Sequence, residues 1–137
     1  MSVNNWQIIQ AHFVEDSPAT LMAWVGSRPT TPNSRGTAYT QALFTSIVYS
    51  AFDESSATPT TAIAGHNAAS LTVSAVIYDT LQGWDVDTTG HNFRTVIGAT
   101  AFPVGGHQAR IEIICTLTDG TVFPIVFQGP ISRLSSS

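Results

Sequence analysis

Apolar and polar residues alternate most regularly between positions 109 and 127. In the first half of this segment the odd positions are apolar and the even positions are mostly polar: Ala109, Ile111, Ile113, Cys115 and Leu117 against Arg110, Glu112, Ile114 and Thr116. A period of two predicts a half-buried strand, with Leu117 facing the core and Thr116 facing outward. Asp119-Gly120 then separates this run from a second apolar run. Asp-Gly in this position predicts a β-hairpin with a type I′ turn, which needs φ > 0 at both residues.

Shorter strand-like runs recur along the rest of the chain. They cover residues 6–14, 19–25, 43–52, 60–64, 70–73 and 93–97. Turn-forming clusters separate them, and no segment keeps a helical apolar period over three turns. About eight short strands in this arrangement are typical of a β-sandwich or a barrel. We therefore predict an all-β protein, a single antiparallel β-sandwich, with one short helical turn at most near residues 79–83.

The domain organisation follows from the length and the even composition. A chain of 137 residues corresponds to one domain, and no internal repeat or change of composition divides it. We expect the sandwich to cover residues 17–131, preceded by an N-terminal arm or first strand over 1–16 and followed by a tail over 132–137. Pro124 cannot donate a hydrogen bond to a sheet, so its strand is expected at an edge or a bulge.

The charge composition argues against a nucleic-acid partner. Only 10% of the residues are charged, the net charge is −4, and the five cations are scattered arginines. Nucleic-acid binders instead show clustered basic stripes. The chain has no lysine, and lysine is depleted where proteins pack together. A surface that contacts other proteins would explain this composition, and so would compositional drift in a small β-protein.

The sequence shows no mark of secretion or membrane insertion. The first 13 residues lack a basic start and a continuous apolar stretch, and no apolar run reaches the length of a membrane span. Cys115 is the only cysteine and lies on the apolar side of its strand, so a reduced, buried thiol is expected. These features predict a soluble protein made in a cytoplasm, with no membrane partner.

No arrangement of residues indicates catalysis or a cofactor. Asp85, Asp87 and Gly90 partly match a calcium loop, but Thr89 stands at the third acidic position and the bidentate glutamate is missing. An Asp that caps a turn is favoured, and metal binding stays open. The four histidines lack zinc spacing, and no serine lies in a Gly-x-Ser-x-Gly motif. We expect no catalytic residue, no metal and no cofactor.

Residues 84–93 are expected to form a structural turn. Trp84 and Phe93 would anchor it to the core, because an aromatic ring in a turn usually buries one face. The remaining members form the turn itself: Asp87, Gly90 and Asn92.

Two segments are candidates for partner binding. The N-terminal segment carries Trp6, Ile8, Ile9 and Phe13, and it could reach onto a neighbouring subunit as an added strand. The segment 26–36 is rich in glycine and proline. A solvated loop explains it, although long loops on rigid sandwiches often carry contacts. Such a contact would involve Arg28 and Arg35.

Part of the chain resembles a family of small proteins encoded in bacteriophage and prophage structural modules. The resemblance covers roughly residues 19–128. It rests on the strands at 19–25, 44–52 and 76–81, on Trp84-x-x-Asp87 and on Gly90-His91-Asn92-Phe93. The chain departs from the pattern at His91, where tyrosine is more usual, and by the inserted Pro29 and Pro32.

The resemblance implies an immunoglobulin-like sandwich with a non-enzymatic role in the virion. A capsid decoration (cement) subunit is the leading hypothesis. The alternatives are a tail, neck or baseplate accessory subunit, and a carbohydrate- or cell-surface-binding module that uses exposed aromatic residues. The implied partners are other virion proteins, either the major capsid protein or tail components. The subunit would form a homo-oligomer or be arranged on the particle lattice.

Overall fold

Two β-sheets make up the computed structural model, which describes residues 8–27, 37–84 and 87–133 and only the backbone of 83, 84 and 87–89. Three single helical turns connect strands: Gln41–Leu43, Val73–Val76 (α1) and Ala99–Ala101. The strands in the described part of the chain are β1 (Ile8–Gln10), β2 (Phe13–Val14), β3 (Ala19–Ala23), β4 (Phe44–Asp53), β5 (Ala69–Leu71), β6 (Ile77–Trp84), β7 (Asp87–Ile97), β8 (Gln108–Leu117) and β9 (Val122–Ser132).

The two sheets have the strand order of an immunoglobulin-like sandwich. The larger sheet runs β1-β9-β8-β4-β5, with β2 also paired to β9, and the smaller sheet runs β3-β7-β6. The orders β9-β8-β4 and β3-β7-β6 correspond to strands G-F-C and B-E-D of that fold. β1 and β2 pair in parallel with β9, and the other strand pairs are antiparallel. The prediction of an all-β, mainly antiparallel sandwich is therefore confirmed.

The hydrophobic core lies between the sheets, and β8 supplies its centre. Burial alternates along the whole of β8, as a strand with one face on the core requires. Leu117 is buried at 7% exposure and Thr116 points outward, so the predicted register is confirmed. Both sheets contribute fully buried side chains, among them Ile111, Ile113 and Cys115 from the larger one and Ile77, Phe93 and Ile97 from the smaller one.

The turn between β8 and β9 differs from the predicted type I′ turn. Only Gly120 has a positive φ, of +91°, and Asp119 does not. The Gly120 N–H donates to the Leu117 carbonyl at 3.0 Å, and the Leu117 N–H donates to the Thr121 carbonyl at 2.8 Å. This is a three-residue loop closed by a bulge. The Asp119 carboxylate instead accepts a hydrogen bond from the Thr121 N–H at 2.9 Å, which holds its pKa below the usual range.

The N-terminal strands belong to the sandwich itself. Ile8 pairs with Val126, and the Phe13 ring stacks on Phe102 with 4.6 Å between centroids. Gly129 allows this close pairing, because any side chain there would overlap the backbone of Ala11. Residues 8–14 therefore complete the larger sheet.

Two local predictions were wrong. Residues 79–83, expected to hold the one short helical turn, lie within β6, and the described residues contain three helical turns at other places. Residues 60–64, expected to form a strand, lie in the long connection between β4 and β5. The Ile63 N–H donates to the Ala51 carbonyl at 2.8 Å, so a tertiary hydrogen bond holds this apolar segment in place of strand pairing.

Pro124 lies where β9 has a free side. It pairs with Ile114 of β8, whereas β1 begins only opposite Val126. Among the described residues, no strand pairs with the other side of β9 at Pro124. The missing N–H is tolerated at such a position. The expectation of an edge strand is nevertheless wrong, because β9 lies between β8 and β1 in the larger sheet.

The register of β8 predicts unequal effects of charge at adjacent positions. Leu117→Asp should lower the free energy of unfolding by at least about 3 kcal/mol, because it removes apolar contacts and buries a carboxylate. The side chain of Thr116→Asp would point outward, so this substitution should lower the free energy of unfolding by less than about 1 kcal/mol. Urea unfolding followed by tryptophan fluorescence measures both variants, and equal losses would contradict this register.

Burial of Cys115 predicts a pH-dependent term in stability. Burial raises the thiol pKa from 9.0 to about 12, so the folded state keeps the thiol protonated where the unfolded state loses its proton. This stabilisation is complete below pH 9 and declines as the pH rises towards 12. Cys115→Ala should show a shallower loss of unfolding free energy over that range. A native thiol that reacts with Ellman's reagent as fast as the urea-unfolded chain would contradict its burial.

Candidate interaction surfaces

The outward face of the larger sheet carries a row of apolar side chains across three strands. Ile114 of β8 pairs with Val48 of β4 on one side and with Pro124 of β9 on the other. All three are half-buried. Their chain neighbours face the core, so these side chains point away from it. A row of this kind occupies the centre of the outer face.

Further apolar residues widen this row into a surface. Ile8 of β1 is 48% exposed and pairs with Val126 of β9, whose own side chain is buried. Val122 flanks the row on its other side and is 50% exposed. We define the outer apolar patch as Val48, Ile114, Pro124, Ile8 and Val122.

One margin of the outer apolar patch is polar and carries charges of both signs, one arginine and two glutamates. Arg110 forms ion pairs with Glu112 and, at 3.8 Å, with Glu54. The Gln128 amide donates to Glu54 at 2.7 Å. These side chains are partly exposed, where such pairs contribute little to stability. This margin therefore gives the patch a polar rim without a strong electrostatic potential of one sign.

A second surface is an open groove of about 460 Å³ between β1–β2 and β3. Inward-facing apolar side chains from three strands line its floor: Ile9, Leu21 and Phe127. His12 is the one lining residue with an ionisable side chain, and its Nε2 is hydrogen-bonded to the Ser132 hydroxyl. The groove has an apolar floor and no Asp, Glu, Lys or Arg among its described lining residues, and it runs along strand edges.

Asn92 binds the segment after β3 to the smaller sheet. Its Oδ1 accepts a hydrogen bond from the Val25 N–H at 2.7 Å. Its Nδ2 donates to the carbonyl oxygens of Val25 at 2.8 Å and Tyr39 at 2.9 Å. Asn92 is fully buried, and its side chain satisfies the Val25 N–H and the Tyr39 carbonyl. The Val25 carbonyl also accepts a hydrogen bond from the Tyr39 N–H at 3.0 Å.

The expected turn over residues 84–93 is mostly strand. Trp84 and Asp87 face each other as the last backbone pair of the β6–β7 hairpin, and their side chains lie outside the described residues. Gly90, Asn92 and Phe93 all lie within β7. Gly90 has a φ of +78° and accompanies shifts in the β6–β7 register. The turn-forming residues Gly90 and Asn92 therefore lie in an irregular strand. The Phe93 side chain is buried in the core, as expected.

A buried histidine fixes the connection between β4 and β5. His66 Nδ1 lies 2.6 Å from the Tyr49 hydroxyl, and its Nε2 lies 2.7 Å from the Thr100 hydroxyl. Burial raises the pKa of Tyr49. Both ring nitrogens of His66 are thus engaged, and the arrangement links three separate segments around one end of β4.

No metal centre is formed by the part of the chain that the structure describes, since no three His, Cys, Asp or Glu side chains come together there. Asp53 and His107 form a pair at 2.8 Å, and Asp53 also accepts a hydrogen bond from the Ser55 N–H. Asp85 and the side chain of Asp87 lie outside the described residues, as does any calcium loop built on them.

The residues predicted to bind partners are separated in the structure. Ile8 lies in the outer apolar patch, and Ile9 lines the groove. Phe13 is 1% exposed within this chain's own core, so its side chain is not available to a partner. The other three lie outside the described residues: Trp6, Arg28 and Arg35.

Sequence reasoning missed most of the outer apolar patch. Ile114 stands among the outward positions of β8, and an apolar residue in a polar series is a usable signal. Val48 and Pro124 become its neighbours only through strand pairing. Their pairing joins residues far apart in the chain, which no local pattern reveals.

The Asn92 contacts predict a large cost for a small change. Asn92→Ala should destabilise the fold by at least about 2 kcal/mol, because the Val25 N–H and the Tyr39 carbonyl lose their partner and the Val25 carbonyl loses one of two. Asn67 is exposed, and Asn67→Ala provides the matched control with a change below about 0.5 kcal/mol. Thermal and urea unfolding report the difference, and equal stability of the two variants would rule out the bracing role.

Comparisons with known proteins leave the chain without a family assignment. No family model matches it, and neither the curated proteins nor the solved structures give a significant match. Within the described ranges, no helix has both the length and the apolar character needed to span a membrane.

Proposed function

We propose that this protein is a non-enzymatic structural subunit of a bacteriophage particle, most specifically a capsid decoration subunit. The observation that carries the proposal is the outer apolar patch. Its centre, formed by Val48, Ile114 and Pro124, is apolar on a face directed away from the core. The phage assignment comes from the sequence resemblance over residues 19–128.

The shape and chemistry of the patch suit a protein surface as partner. The patch lies on the outer face of a paired sheet, whereas small-molecule sites are concave and enclosed. Interface centres are depleted in charge, and interface rims are polar. The outer apolar patch has this arrangement, with Arg110, Glu112 and Glu54 at its margin. A repeating lattice of capsid protein would offer each copy the same complementary surface.

A sugar-binding role has less support from the aromatic residues. Tyr39, one candidate for stacking on a sugar, packs instead against Phe44 and Phe123 with centroid distances of 6.1 and 5.9 Å. Core packing therefore explains Tyr39. A glycan array probed with the purified protein would test this alternative, and specific glycan binding without particle binding would favour it over the decoration role.

The proposal is tested on particles of the phage or prophage whose genes flank the coding sequence. We expect the protein in purified virions at a fixed ratio to the major capsid protein. Particles made without the gene should regain it when incubated with purified protein, as measured by cosedimentation. Its absence from virions would overturn the proposal, and its presence in isolated tails alone would assign it to the tail.

The outer apolar patch predicts which substitutions weaken attachment. Ile114→Glu should weaken particle binding at least about tenfold, a loss of 1.4 kcal/mol or more, because a carboxylate would be buried in the interface. Val96→Glu is the matched control, since Val96 is 50% exposed on the outer face of the smaller sheet. Equal binding by the two variants would exclude the patch as the attachment surface.

The same surface predicts weak salt dependence. Exposed charges are screened over about 10 Å at 0.1 M salt, and the patch itself carries no charge. Raising NaCl from 0.1 to 0.5 M should therefore change the amount of bound protein less than threefold. This is smaller than the tenfold change that corresponds to about 1.4 kcal/mol of binding free energy. Complete release at 0.5 M would indicate an electrostatic interface elsewhere.

A further inference from the structure

β3 is the most regular free strand edge in the described ranges. It is the outer strand of the smaller sheet, and its five residues pair with β7 without a register shift. Its sequence, ATLMA, contains no charge and no proline. Natural sheets protect edges with charged residues, proline, bulges or very short strands. β3 uses none of the first three devices, so its outer side can accept another strand.

The other sheet edges in the described part of the chain are less receptive. β1 and β5 contain three residues each, which limits the pairing that they offer. β6 is longer, but its register against β7 shifts twice. Shortness or irregularity therefore protects these edges, and the contrast singles out β3.

The groove described above runs beside this edge. Residues 17–22 form one wall, residues 9–14 form the other, and Ile9, Leu21 and Phe127 contribute an apolar floor. A strand added to a sheet edge gains affinity from backbone hydrogen bonds and specificity from pockets for alternate side chains. The free edge of β3 offers the backbone hydrogen bonds, and the groove offers pockets for side chains.

We propose that the N-terminal residues 1–7 of a second copy of this chain bind in the groove as a strand added to β3. These residues lie outside the described ones and lead directly into Ile8 at the start of β1. Extended, seven residues reach about 23 Å, whereas the five residues of β3 span about 17 Å. The segment MSVNNWQ has no charged side chain and contains an apolar tryptophan, which matches a groove with an apolar floor and no Asp, Glu, Lys or Arg among its described lining residues.

The position of β1 favours a second copy over the same chain. Ile8 already pairs with Val126, so the chain's own N-terminal residues would have to reverse direction immediately before it. A tight reversal uses at least two residues. At most five residues would then remain, and Trp6 would lie in the reversal instead of over the groove floor. A segment from a second copy avoids this reversal.

Reciprocal exchange of these segments forms a closed dimer, in which each copy donates one strand and accepts one. An isologous contact of this kind is the commonest route to a symmetric pair. The inference concerns self-association of the purified protein and goes beyond attachment to a particle. Its test needs no particle, so its failure and the failure of the proposed function are distinguishable.

The first experiment compares the full chain with a variant that lacks residues 1–7. Sedimentation equilibrium from 1 µM to 500 µM should show a monomer–dimer equilibrium for the full chain, with a dissociation constant at least tenfold higher for the deletion variant. A full chain that is monomeric throughout this range would overturn the proposal. Dimerisation that survives the deletion would also overturn it, because another surface would then be responsible.

A pair of substitutions keeps the test decisive if the deletion variant fails to fold. Met22→Lys places a charge on the edge strand, and Val96→Lys places one on the same sheet face but on the central strand. Met22→Lys should weaken dimerisation at least tenfold, and Val96→Lys should leave it within threefold of the unmodified chain. Equal dimerisation constants for the two variants would contradict strand addition at β3.

Hydrogen exchange identifies the chain that occupies the groove. The amides of residues 19–23 should become more protected as the protein concentration rises, and the added protection should be absent from the deletion variant. Protection that does not change with concentration would overturn the proposal, because it would assign the groove to the chain's own N-terminal residues or leave it empty.

Discussion

The pairing of β8 with β4 on one side and β9 on the other is the constraint on which the rest of the sandwich depends. Nine residue pairs join β8 to each neighbour, so the position of β8 sets the register of the larger sheet. Because side chains alternate along a strand, this register also decides which residues meet the smaller sheet. Ile111, Ile113 and Cys115 thereby form the core, and Ile114 necessarily faces outward. One alternating strand thus generates both the interior and the candidate attachment surface.

Much of the fold was accessible from the sequence because its strongest strands alternate cleanly. The β8–β9 hairpin and the face of Leu117 follow from local rules. The errors occur where tertiary contacts override such rules. Residues 60–64 look like a strand, but a hydrogen bond from Ile63 to Ala51 of β4 holds them instead. Gly90 and Asn92 look like a turn, yet both lie in β7. There the side-chain amide of Asn92 pairs with the backbone N–H and carbonyl of Val25, as a neighbouring backbone would.

The candidate surfaces were less accessible than the fold, for a physical reason. A surface patch is a set of neighbours, and Val48, Ile114 and Pro124 become neighbours only when three distant strands pair in one register. The edge of β3 is likewise free only because no other described strand pairs with its outer side. Ile8 and Ile9 show the limit most clearly: they are adjacent in sequence, but they lie on opposite faces of β1 and contribute to different surfaces.

The parallel pairing of β1 and β2 with β9 has a consequence for synthesis in the cell. The partners are separated by about the whole length of the chain, since Ile8 meets Val126 and Phe13 meets Ile131. Contacts of such long sequence separation form slowly, because a large loop must close first. During translation the first strands emerge long before their partner, and until β9 is synthesised they must wait with apolar residues such as Phe13 uncovered. β9 is therefore the strand that completes the larger sheet, and a truncation that removed it would leave β1 and β2 without a partner strand.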